Sequence, residues 1–115
     1  FRRPRFVVEL PPQGLVMVEE IAAEFQNVHV HFSGHYAFSR EEYPFKDLVP
    51  VSRRLLDAFG PTRMLMATDW PWIREAPGYD KMLTLIDHHL PDLAPGDRAS
   101  VCGGNALGLF DFSLV

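Results

Sequence analysis

The chain has 115 residues, enough for one small domain. Hydrophobic residues make up 47%, charged residues 23%, and the formal net charge is -4, a balance that excludes a disordered chain; the scattered basic residues exclude an electrostatic footprint for nucleic acid. No apolar run approaches the roughly 20 residues of a membrane span, no signal-peptide layout is present, and the single cysteine, Cys102, rules out an internal disulfide and fits a reducing cytoplasm.

The first segment, "FRRPRFVVEL", begins without a methionine and enters an apolar run at 5–10, read as a strand. The expectation is a piece of a longer protein. Next, Leu15, Val18, Ile21, Ala22 and Phe25 recur at helical spacing, leaving Glu19, Glu20 and Glu24 to water. "NVHVHFSG" (27–34) alternates, with Val28, Val30 and Phe32 on one face and His29, His31 and Ser33 on the other, the period of a strand. A second helix is expected from Asp47, as N-cap, to Phe59, with Gly60-Pro61 as its stop. "RMLMAT" (63–68) is continuously apolar, as for a strand covered on both faces. Tyr79, Met82, Leu83, Ile86 and Leu90 mark a third helix ended by Pro91. "PGDRASVCGG" reads as a short helix, after which Asn105 caps a last turn, "ALGLF".

Alternating strands and helices imply parallel strands joined by crossovers, an α/β architecture of about three βα units. A closed barrel of eight units takes roughly 250 residues, so these would make a little under half of one. The polar face of the 27–34 strand suits a ligand-holding lumen better than a helix layer.

Asp69 is the foremost candidate for chemistry. It ends the 63–68 run inside "TDWPW", where α/β proteins bind ligands beyond the carboxyl ends of their strands. A carboxylate there can ligate a cation or take a proton from an attacking water. The competing role is a turn or cap in "TDWP". His29 and His31 project from one strand face roughly 7 Å apart, close enough to share a metal or simply to hydrogen-bond in a polar interior. His35 and Tyr36 follow the glycine ending that strand, on a loop at the same end as Asp69. Trp70 and Trp72 flank Pro71 and either wall a pocket or pack a rim. His88-His89 near a helix C-terminus reads as structural, the Arg40-Glu41-Glu42 run as solvated surface, and Cys102 as a small buried hydrophobe.

"NVHVHFSGHYAFSREEYPFKDLVPVSRRLLDAFGPTRMLMATDWPW" followed by "LAPGDRASVCGGNALGLFDF" resembles the C-terminal part of an amidohydrolase-related barrel. The branch is that of metal-dependent hydrolases, dicarboxylate lactonases and aminocarboxymuconate-semialdehyde-type decarboxylases. The likeness covers about residues 27 to 112, and "TDWPW" and "GGNALGLF" are its most specific pieces. It implies that residues 1–115 form the C-terminal half of a TIM-type (β/α)8 barrel, with the active site at the strand C-termini. The last-strand aspartate maps onto Asp69, as ligand of a divalent metal, usually zinc, as activator of the hydrolytic water, or both; some members of the branch work without a metal. The family's metal-binding His-x-His belongs to the first strand, so His31 becomes a substrate-facing group instead.

The sequence departs from the family pattern in places. "RFVVEL" offers Glu9-Leu10 where Asp-His is usual, Ala67 stands for a glycine and Gly108 for an arginine. The first-strand ligands are absent, and one carboxylate cannot hold a catalytic zinc, which wants about three protein ligands. The expected function is therefore a segment of a metal-dependent hydrolase cleaving a lactone, ester or amide bond in a small molecule. Asp69 would be metal ligand and base, and His31, His35, Tyr36 and Trp70 would touch substrate. The alternatives are decarboxylation of a small acid, a non-catalytic truncated homologue pairing through its open sheet, and a binding module without turnover. The expected partner is a small-molecule substrate together with either the rest of the barrel or a second copy in a homo-oligomer, with no nucleic acid and no membrane.

Overall fold

The computed structural model describes residues 12–110. The strand expected at 5–10 lies outside the described residues. In chain order come α1 (Pro12–Glu24), β1 (Val30–Phe32), the single-turn α2 (His35–Phe38), a 3-10 turn (Lys46–Leu48), α3 (Val49–Phe59), β2 (Met64–Met66), α4 (Tyr79–His89), α5 (Pro95–Ala99) and α6 (Asn105–Leu109). A widened helical turn, Ser100–Gly104, joins the last two.

β1 and β2 run parallel, with Val30 opposite Met64, His31 opposite Leu65 and Phe32 opposite Met66. Parallel neighbours cannot be joined by a hairpin, and α3 lies in the connection between them. The result is a mixed α/β fold around a small parallel sheet. Each strand is shorter than its apolar run, because among the described residues each has one ladder neighbour. Phe32 and Met64 face the helices, where Phe59 of α3 and Met82 and Ile86 of α4 complete the core with Val101. His31 falls on the opposite face and is exposed, as its alternation requires. Met64 and Leu65 are both buried, so the start of β2 is covered on both faces.

The helix ends follow local chemistry. Gly60, at φ 75, stops α3 where expected, its N–H donating to Leu56 O. Gly34, at φ 83, turns the chain from β1 into α2, and a Cβ there would stand 3.3 Å from the Phe38 ring. Two expected caps are corrected. Asp47 does not cap α3, which starts at Val49 with Leu48 as its N-cap; its carboxylate instead receives the Ser39 hydroxyl and the Arg40 N–H, the latter at 2.9 Å. Asn105 sends its side-chain amide across to Pro61 O at 2.6 Å and Met64 O at 2.9 Å, tying α6 to the entry of β2 rather than capping its own turn.

Amphipathic faces shift too. In α1, Leu15 and Ala22 are buried, whereas Ile21 and, just past the helix, Phe25 are 42% and 49% exposed. Glu19 does not simply face water: it is held to Arg54 of α3, with Nε to Oε2 at 3.0 Å, and that guanidinium holds its carboxyl below the usual range. In α4 the inner face is Met82, Leu85, Ile86 and His89, continued by the C-cap Leu90, with Tyr79 turned outward.

Arg63 knits the base of the sheet. Its guanidinium donates to Ala22 O (3.0 Å) and Phe25 O (3.0 Å) at the end of α1, and to Phe59 O (3.1 Å) and Ala58 O (3.3 Å) at the end of α3. Helix C-termini leave carbonyls unpaired and carry partial negative charge, so one planar cation serves both. Arg63→Met should cost about 2–4 kcal/mol, by loss of charge-assisted bonds to half-buried carbonyls. Chemical denaturation measures it, and Arg63→Lys should recover only part, lacking the fork geometry.

Candidate functional site

The turn leaving β2 decides what Asp69 is available to do. Trp72 N–H donates to the Asp69 backbone carbonyl at 2.9 Å, and Trp70 N–H donates to Thr68 Oγ1 at 3.3 Å. Thr68 and the main chain thus close the turn. The Asp69 carboxylate takes no hydrogen bond from any described residue and is half-buried. Its backbone is left-handed, φ 61, a conformation Asp tolerates better than most residues but at some cost. Phe45, at φ 56, is the other described non-glycine residue with positive φ. One lies on each loop leaving a strand's carboxyl end, and such strain concentrates at functional sites.

The remaining candidates separate. His31 and His35 border a cavity of about 170 Å³, together with Ser33 and Phe38 on one side and Val51 and Leu55 of α3 on the other. Tyr36 points elsewhere, to a cleft of about 410 Å³ between the two loops, shared with Glu42, Tyr43, Glu75 and Lys81. Adjacent residues of a helical turn diverge by about 100°, which sends His35 and Tyr36 apart. Trp70 is 56% exposed, with its ring edge-on to Tyr79 at 5.9 Å, and Trp72 is 61% exposed. Asp69 borders neither cavity, although it opens the loop whose far end, Glu75 to Pro77, walls the larger one.

His35 is buried in a polar chain. Its Nε2 lies 3.0 Å from Ser52 Oγ, Ser52 Oγ lies 2.7 Å from His89 Nδ1, and His89 Nε2 lies 2.7 Å from Pro44 O. A carbonyl only accepts, so every proton is assigned in turn: His89 donates from Nε2, Ser52 donates to His89 Nδ1, and His35 donates from Nε2 to Ser52. His35 Nδ1 is left buried without a partner among the described residues. Burial first, and the neighbouring His89 second, push the His35 pKa down to about 4; burial also lowers that of His89. Both rings are neutral at pH 7. They pack edge-to-face at 5.0 Å, beside Phe32. The sequence reading gave His89 only a structural role and did not single out Ser52. Their signals were spacing: His89 lies seven residues after Met82 and Ser52 seven before Phe59, on buried faces.

A metal ion needs about three protein donors, and no three His, Cys, Asp or Glu side chains among the described residues are placed to hold one. Asp69 alone does not make a zinc site. Among the described residues, no helix is long and apolar enough to cross a membrane.

Two parallel strands joined through a helix, with a carboxylate left unengaged just beyond the carboxyl end of the second, define the class: a mixed α/β segment. The family profile described as amidohydrolase matches residues 10–112, and the chain belongs to that family. It is 34% identical over 86 residues to D-galactarolactone isomerase of Agrobacterium fabrum, covering 70% of this chain and 29% of that protein. It is 36% identical over 52 residues to L-fucono-1,5-lactonase of Burkholderia multivorans, covering 44% of this chain and 18% of that protein. The chain thus spans less than a third of either curated relative. Among solved structures it is similar to an amidohydrolase of Burkholderia multivorans with bound zinc, at TM-score 0.71 and 24% identity, covering 87% of this chain and 38% of that one.

Proposed function

We propose that this chain supplies the last strands of a (β/α)8 amidohydrolase barrel that opens the ring of a small polyhydroxy lactone, with Asp69 as general base. The carrying observation is the Asp69 carboxylate, unengaged because Thr68 and the backbone hold its turn. Asp69 takes a proton from water as the water's oxygen bonds to the lactone carbonyl carbon. The tetrahedral adduct then collapses, the ring C–O bond breaks, and the departing alkoxide recovers the proton from Asp69, giving a hydroxy acid. A zinc ion would require donors beyond the described residues, and no step above depends on one. His31, His35, Tyr36 and Trp70 remain proposed as groups near substrate, with His35 acting through its buried neighbours.

A second reading has specific support. The longer of the two curated likenesses is to a lactone isomerase, which acts on the same functional group. There a substrate hydroxyl replaces water as the attacking oxygen. Incubation of the protein, as its source cell makes it, with an aldonolactone in ¹⁸O-water separates the two. Hydrolysis places ¹⁸O in the product carboxylate, isomerisation yields a new unlabelled lactone, and release of CO₂ would favour the decarboxylase. Inertness toward lactones with and without added zinc sinks the enzymatic reading and leaves a non-catalytic homologue.

A further inference from the structure

The smaller cavity has two unlike walls. His31 and Ser33, alternating along the chain that leaves β1, and His35 at the start of α2 form the polar wall. Phe38, with Val51 and Leu55 one turn apart on α3, forms the apolar wall. The side chains of His31 and Ser33 make no hydrogen bond to another described residue. His35 is only 6% exposed, and its Nδ1 is buried without a partner among the described residues.

The chemistry of that nitrogen is set from the far end of its own chain. The Pro44 carbonyl only accepts, which makes His89, Ser52 and His35 successive donors and leaves Nδ1 a bare lone pair. The two nitrogens of an imidazole point away from each other. Ser52 takes the Nε2–H and does not border the cavity, so Nδ1 is turned to the side of the ring where the cavity lies. A buried acceptor without a donor is costly, and native proteins keep few of them. Size then narrows the occupant. The cavity measures about 170 Å³, close to one that takes a single six-membered hydrocarbon ring, whereas a water fills only about 30 Å³ and leaves the apolar wall uncovered.

We infer that this cavity binds a small neutral ring compound bearing one hydroxyl, phenol being the simplest, whose O–H donates to His35 Nδ1 while its ring packs on Phe38, Val51 and Leu55. The ligand's oxygen still accepts, and the Ser33 hydroxyl on the same wall is a donor able to serve it. A carboxylate brings no proton for the lone pair, so an anionic acid binds less well. Asp69 does not border this cavity. The ligand is therefore a second molecule rather than the reacting lactone, and the inference stands apart from the lactone reading.

The test measures binding at pH 7 to the protein as its source cell makes it, grown with ¹⁵N-histidine. It is titrated with phenol, with anisole, which is the same ring with its O–H methylated, and with benzoate. Phenol should saturate and bind about five- to tenfold more tightly than anisole, the worth of one neutral hydrogen bond. Benzoate should be weaker than phenol by at least as much. The His35 Nδ1 resonance should move with phenol and stay in place with anisole. Val51→Phe fills the apolar wall without touching the histidine chain, so it should abolish binding of both rings while the His35 Nε2 signal reports an intact fold. His35→Phe should bring phenol and anisole within about twofold of each other; if that variant does not fold, the Nδ1 resonance of the unmodified protein decides. Equal affinities for phenol and anisole, a His35 Nδ1 resonance unmoved at saturating phenol, or phenol binding untouched by Val51→Phe overturns the inference. Failure of either ring to saturate overturns it as well, and leaves water as the partner of Nδ1.

Discussion

Asp69→Asn is expected to slow lactone opening by about 100- to 10,000-fold, the usual contribution of a positioned general base. It should leave thermal stability unchanged. The amide keeps the size of the carboxylate and tolerates left-handed backbone equally well, while the hydrogen bonds of the turn come from Thr68 and main-chain atoms. The second arm uses the backbone. Asp69→Gly removes the Cβ at φ 61, so it should be at least as stable as the parent while losing the same activity. A residue serving only the turn would give the opposite pattern, with stability falling and rate little changed. Equal loss of rate and stability in both variants would demote Asp69 to a structural role. Rates come from proton release on ring opening and stabilities from thermal unfolding.

The other large effect is expected at Ser52. Ser52→Ala leaves His89 Nδ1 without its donor and the His35 Nε2–H without its acceptor, on two buried rings. Stranding two buried polar groups should cost about 2–4 kcal/mol. In a chain of this size that lowers the melting temperature by on the order of 10 °C.

The same chain predicts an acid sensitivity with a definite sign. The folded His35 pKa of about 4 lies below the ordinary 6.5, so between those values the unfolded chain binds the extra proton. Stability from this group is fully present above pH 6.5 and is lost as pH falls toward 4. Displacement over that window corresponds to about 3 kcal/mol. His35→Gln keeps a donor for Ser52 but cannot titrate, so its stability should be flatter from pH 6.5 to 4. An unchanged slope would place the acid sensitivity elsewhere, in groups such as Asp87, whose carboxyl is held low by the Arg98 guanidinium and which titrates at lower pH.

Much of the architecture was legible because it depends on local period and on glycine. The 2-residue alternation of 27–34 placed Phe32 and His31 on opposite faces, the unbroken run at 63–68 announced burial on both faces, and Gly60 marked the end of α3. Caps were less legible. Asp47 and Asn105 can satisfy backbone groups locally or across the fold with similar chemistry, and only the position of Ser39 and of the β2 entry shows that both reach away. Cleft residues were the least visible: Glu42 reads as surface, and nothing in its spacing tells that it shares a hollow with Glu75 and Lys81.

Sequence by itself determined the fold class, the amidohydrolase likeness and the prominence of Asp69, since hydrophobic period and a strand-ending carboxylate are properties of neighbours in the chain. Tertiary structure alone decided that His35 is neutral and buried behind Ser52 and His89, and that His35 and Tyr36 look into separate cavities. Those outcomes depend on distances between groups 17 to 45 residues apart, set by packing of α3 and α4 against the sheet. Hydrogen-bond direction and desolvation have no expression until such groups meet.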